Sequence, residues 1–177
     1  QTEGREAIRR VEPRMVLKKK DGKDQEVQEG WMGRIIPFVL VQETLLKAEA
    51  DALKAKESRL AEIAAQFAEL LDAMTEEEKD GEEVNDSKDG FVPAAVLKAA
   101  KQLAAERPAS AYPEDSFEAR ILTAAALLRE EKTLKAHIKA DEAALHMHTK
   151  ATIEALTEAQ AAQLIERKWI APLVESI

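Results

Sequence analysis

Cysteine is absent from the 177 residues, which removes disulfides, thiolate nucleophiles and zinc-thiolate sites and makes a reducing cytoplasm the expected compartment. Aromatic side chains make up only 4% of the chain. Its apolar content, led by alanine, is therefore thin methyl surface suited to close packing of helices. No apolar run approaches the roughly 20 residues of a membrane span, and no secretory apolar segment follows the start. The six glycines are scattered between positions 4 and 90, and none closes a strand and opens a helix as a phosphate loop requires. Basic residues are in the minority, 26 against 34 acids for a net charge of −8. The chain as a whole should be repelled by phosphate, which argues against its being a principal nucleic-acid surface.

What is present is a seven-residue rhythm. Val39, Leu46, Leu53, Leu60, Phe67 and Met74 recur without a miss, and this spacing predicts one amphipathic helix over 37–74 with its stripe against a partner helix. Ala50, Ile63, Ala64, Leu70 and Leu71 form a second seam position, interrupted by Glu49, Lys56 and Glu57. A helix of that length is a rod of about 60 Å. Each seam side chain left in water would forgo about 1.5–3 kcal/mol, so something must cover it. The natural cover is a second long helix from Ser116 to about Leu156, whose stripe runs through Phe117, Ile121, Ala124, Leu128, Ile138, Leu145, Thr152 or Ile153, and Leu156 and is broken by Glu131, Asp141 and Glu142. The expected fold is all-α: a long antiparallel helical hairpin, coiled-coil-like, with a short β-like N-terminal extension and a C-terminal helix.

Residues 1–36 read as a basic extension in which Met15–Lys20, a turn at Asp21-Gly22 and Gln25–Gln28 predict a β-hairpin. Residues 37–156 hold the helical hairpin. Its tip is an acid-rich loop from Thr75 to Gly90 with Val84 as its only apolar residue, which predicts mobility, followed by a short helix over Pro93–Glu106. Residues 157–177 open on a capping box, Thr157-Glu158-Ala159-Gln160, and predict a final helix through Leu164, Ile165, Trp169, Ile170 and Leu173 with a kink at Pro172. The alanines at 48, 55, 125 and 144 could face a second helical pair.

Catalytic patterns are missing. His137, His146 and His148 are spaced by nine and two, whereas helical metal pairs need three or four. No pair of carboxylates is set in apolar surroundings that would separate their pKa values, and the acids of the first rod read as a solvated face. Trp31 and Trp169 stand out as candidate anchors, either of the helical base or in a pocket on a partner. The seam residues Val39, Leu46, Leu53, Leu60, Phe67, Met74, Leu128, Ile138 and Leu145 are the candidate interface and core. The cluster Lys18, Lys19, Lys20 and Lys23 offers a rival reading as a phosphate-contacting module.

Gly30-Trp31-Met32-Gly33-Arg34-Ile35-Ile36-Pro37, the Ala/Glu/Leu helix after it, and the close Leu156-Thr157-Glu158 followed by Lys168-Trp169-Ile170 resemble the C-terminal part of the modification subunit of type I restriction-modification enzymes, over about residues 28–173. The resemblance implies a parent that methylates adenine N6 in DNA with S-adenosylmethionine and assembles with a DNA-reading specificity subunit and a restriction subunit. The family's catalytic motif, Asn or Asp, Pro, Pro, then Phe or Tyr, and its glycine-rich cofactor loop are absent; Pro37-Phe38 lacks the amide and the second proline. The expectation is a non-catalytic piece, beginning at Gln1 rather than Met, that holds modification and specificity subunits together in the cytoplasm and reaches DNA only through the whole complex. The alternative is a generic coiled-coil scaffold or adaptor.

Overall fold

The computed structural model describes residues 6–20 and 22–169. Strands β1 (Val11–Lys20) and β2 (Lys23–Gly33) pair antiparallel, with Val16 opposite Val27, Lys20 opposite Lys23 and an irregularity between Pro13 and Met15. Gly22 takes the positive φ of +77° that the two-residue turn demands; Asp21 lies outside the described residues. The helices are α1 (Phe38–Thr44), α2 (Lys47–Asp72), α3 (Glu76–Lys79), α4 (Pro93–Glu106), α5 (Phe117–Glu154) and α6 (Glu158–Trp169), with a 3-10 turn at Ala109–Ala111. Ile170, Pro172 and Leu173, expected to continue the last helix, lie outside the described residues.

The chain divides into two compact units. One holds the described residues up to Lys54 and from Lys139 onward, the other Ala55–Ile138, so α2 and α5 contribute to both.

An all-α, coiled-coil-like hairpin is not the fold. The chain is mostly helical but includes a two-stranded antiparallel sheet, and the first rod is interrupted. After α1 the amide of Leu46 reaches back five residues to the carbonyl of Val41, at 3.1 Å, while the Thr44 hydroxyl donates to the Leu40 carbonyl at 2.5 Å. A hydroxyl that competes for a helical carbonyl and an i→i+5 step both break helical register. The extra residue rotates the inward face onto Val41, Leu46 and Ala50, and leaves Val39, the first member of the seven-residue series, 60% exposed.

The second cause is that each stripe is covered by a third helix rather than by a two-helix seam. In the first unit, Val41 of α1, Leu46 from the junction, Ala50 of α2, Leu145 and Ile153 of α5, and Ala161 and Leu164 of α6 close over Ile36 and Leu156. In the second unit, Val96 and Ala100 of α4 pack on Ile121, Ala124 and Ala125 of α5, flanked by Phe67 and Leu70 of α2. Ala125 is fully buried there, whereas Ala48, Ala55 and Ala144 are exposed.

The acid-rich stretch after Met74 is built on local bonds. Thr75 and Glu78 form a reciprocal capping box. Asn85 Oδ1 accepts the amides of Asp89 and Gly90 at 3.1 and 3.3 Å. Lys88 bridges Glu76 and Asp80 at 3.1 and 2.7 Å, and Val84 packs with Leu71 and Met74 in a small core. Such bonds oppose the ordering entropy that composition alone leaves unopposed.

Thr149 is fully buried on α5; its hydroxyl donates to the Leu145 carbonyl at 2.6 Å and accepts from Gln42 Nε2 of α1 at 3.1 Å. Thr149→Val should cost about 1 kcal/mol and Leu164→Ala about 2–5 kcal/mol in urea unfolding, and an equal cost would contradict this ranking. In the second unit the Arg59 guanidinium grips Glu130 through two bonds of 2.7 and 3.0 Å, and this hydrogen bonding holds the Glu130 carboxyl below its ordinary pKa. A depressed folded-state pKa gives a contribution that is full above the ordinary carboxylate value and lost as pH falls through the folded-state value. The NMR titration midpoint of Glu130 should therefore lie low and move back up in Arg59→Gln.

Candidate interaction site

The base of the hairpin meets α5 through two glycines. Gly30 has a φ of +139°, and a Cβ there would sit 2.7 Å from Nε2 of His146. Without that carbon, the amide of Trp31 donates to His146 Nε2 at 2.9 Å, which places the proton of the neutral ring on Nδ1. Trp31 lies opposite Pro13 in the register, a residue with no N–H to offer the ladder. One turn further along α5, the Lys150 ammonium lies 4.6 Å from the centre of the indole, and Phe38 of α1 sits against the His146 ring at 4.9 Å. Gly33 allows a second close approach: a Cβ would collide with the carbonyl oxygen of Ile36 and crowd Ile153. From the other end of the unit, Lys168 of α6 donates to the Ile35 carbonyl at 2.7 Å.

These contacts frame an open cleft of about 530 Å³, within the range of about 300–1,000 Å³ usual for ligand sites. Its walls are Trp31, Ile35, Pro37 and Phe38, with Gln42 and His146 as neutral polar groups and Arg14, Arg34 and Lys168 as cations. No carboxylate lines it among the described residues. Glu12 reaches Arg34 from outside at 3.5 Å, with both side chains about half exposed, a geometry worth little in water.

Of the two candidate anchors, Trp31 is half-buried in the cleft wall, while Trp169 ends α6 at 59% exposure with Lys168 4.8 Å from its ring centre. Leu46, Leu53 and Leu145 belong to the first core, Phe67 and Leu128 border the second, and Met74 joins Leu71 and Val84. Leu60 and Ile138 are half-buried and Val39 is exposed. None of these seam residues lines the cleft. Sequence reasoning missed Arg14, Arg34, Gln42, His146 and Lys168. The available signal was the four-residue spacing of His146 and Lys150, which puts both on the side of α5 that meets Trp31. His148 is elsewhere, paired with Glu49 at 2.9 Å, and no group of three potential metal ligands stands together among the described residues.

Compared with known proteins, the chain matches no family model, no curated protein and no solved structure. No helix among its described residues is long and apolar enough to cross a membrane.

Gly30→Ala should destabilise the chain by about 1–3 kcal/mol, because the φ is strained for any L side chain and the methyl displaces His146. Gly22→Ala, with positive φ but open space around it, should cost about 1–2 kcal/mol from the backbone alone. The imidazole nitrogen shifts of His146 should lose their Nδ1–H pattern in Gly30→Ala only. An unchanged pattern would mean that the Trp31 bond does not depend on the glycine.

Proposed function

We propose that this chain is the C-terminal helical part of a modification subunit of the type I restriction-modification kind, and that it works by assembly, joining that subunit to its specificity subunit. The observation that carries the reading is the meeting of the segments that bear the resemblance. Gly30–Pro37 and Leu156–Trp169 are far apart in sequence, yet Ile36 and Leu156 are buried in one core and Lys168 bonds the Ile35 carbonyl. The exposed indole of Trp169 and the cleft beside Trp31 supply surface of the aromatic and arginine-rich kind found at the centres of protein interfaces.

In this reading the chain transfers no methyl group itself. Methyl transfer from S-adenosylmethionine to adenine N6 belongs to the remainder of the modification subunit, sequence reading to the specificity subunit, and cleavage to the restriction subunit that joins the full complex. DNA is contacted by that complex in the cytoplasm rather than mainly by this chain.

Co-expression of the chain with the specificity subunit encoded beside its parent gene, followed by affinity capture and light scattering, tests the proposal. The expected result is a complex of defined stoichiometry that survives moderate salt. A chain that stays alone or pairs only with itself would support the scaffold alternative and end the assembly reading.

A further inference from the structure

We infer that the cleft at the hairpin base is a receptor for an acidic side chain: it takes a carboxylate that a partner protein presents next to an apolar residue. The identity of that partner, the specificity subunit, rests on the assembly reading; the chemistry of the cleft rests on its own residues. Arg14, Arg34 and Lys168 converge on one cavity with no carboxylate among its described lining residues, in a chain whose acids outnumber its bases 34 to 26. Charges further apart than about 8 Å are largely screened at physiological salt, so an anion senses the local cations before the overall negative charge. That arrangement favours a short acidic element. A nucleic acid, whose charge continues along the strand, is the competing occupant.

The cations are suited to a carboxylate. Each guanidinium can hold both carboxylate oxygens with parallel N–H bonds, Arg34 by giving up its half-exposed 3.5 Å contact with Glu12, and Lys168, already donating once to the Ile35 carbonyl, keeps two donors. The lining also includes the indole of Trp31 and the phenyl of Phe38, so an apolar neighbour of the acid finds a surface from which water can be displaced. This surface is held in place before anything binds: Lys150 covers Trp31, His146 backs Phe38, and Gln42 is tied to Thr149. Pre-set side chains lose little rotamer freedom on binding, which leaves more of the contact energy as affinity.

Titration of the full chain with the purified specificity subunit, at low and at physiological salt, tests this. The double variant Arg14→Glu/Arg34→Glu, at two exposed positions, should weaken binding by about tenfold or more, and reversing one acid of the partner to lysine should restore it. Lys98→Glu, an exposed site in the other unit, should change it by less than about twofold. Wild-type affinity in the double variant would overturn the inference while leaving the assembly reading intact. If no complex with the specificity subunit forms, the assembly reading fails by itself and the cleft is judged separately. For that, Trp31 fluorescence of the Trp169→Phe chain is titrated with a blocked peptide of alternating leucine and glutamate and with its glutamine counterpart. A preference for glutamate that disappears in Arg34→Gln supports the inference; no preference, or tighter binding of a DNA oligonucleotide, overturns it.

Discussion

The hydrogen bond from the Trp31 amide to His146 is the constraint on which the first unit depends. It forms only because Gly30 has no side chain where the imidazole lies. Once β2 is fixed to α5 at that point, the next residues have little freedom: the chain folds back so tightly after Gly33 that a methyl there would strike the Ile36 carbonyl. Ile36 is thereby placed in the core with Ile153 and Leu156, and the free carbonyl of Ile35 is left for Lys168. A two-stranded hairpin is marginal by itself in water. This one is docked at its base, while Met15 and Leu17, farther out, remain 50% and 70% exposed.

Alanine explains why each core draws on more than two helices here. A methyl face lets backbones come close but covers little area, so a single alanine-rich partner would leave the larger residues of a stripe partly wet. In the second unit Ala100, Ala124 and Ala125 form the tight centre, and Phe67 and Leu70 of α2, Leu97 and Leu103 of α4, and Phe117 and Leu128 of α5 close around it from three helices. In the first unit Ala50 and Ala161 have the same role among leucines and isoleucines. The helix that sequence pattern treats as an accessory, α4, thus becomes part of a core.

Local signals were legible and long-range ones were not. Asp21-Gly22 marked the hairpin, though its strands extend well beyond the expected 15–28, to Val11–Lys20 and Lys23–Gly33. Pro93 opens α4 and the Thr157–Gln160 pair caps α6, because the bonds that define such boundaries lie within three residues. The heptad series misled because periodicity shows only that apolar residues recur, not that the helix carrying them is unbroken. The step at Leu46 lies beside a Thr44 hydroxyl that donates to the Leu40 carbonyl, a local choice that the spacing of apolar residues does not report. The cleft was illegible for another reason. Arg14, Arg34, His146 and Lys168 come from four separate segments, and each in its own surroundings reads as an ordinary solvated charge or an isolated imidazole.

The placement of charge also separates two roles that composition merges. The shifted groups of the second unit, Glu130 with Arg59 and Glu76 with Lys88, are paired at the surface, and the largest cause of each shift is a hydrogen bond from the partner rather than burial. Such pairs are already satisfied and offer little to a ligand. The cations of the first unit surround a cavity with no carboxylate among its described lining residues, next to aromatic rings that neighbouring side chains hold still. Charge arranged in this way contributes more to choosing a partner than to holding it, since a like charge brought against it is rejected more strongly than a matching one is retained. The indole and phenyl of the lining are the surface from which water can be displaced, so in the proposed complex selection and affinity rest on different residues.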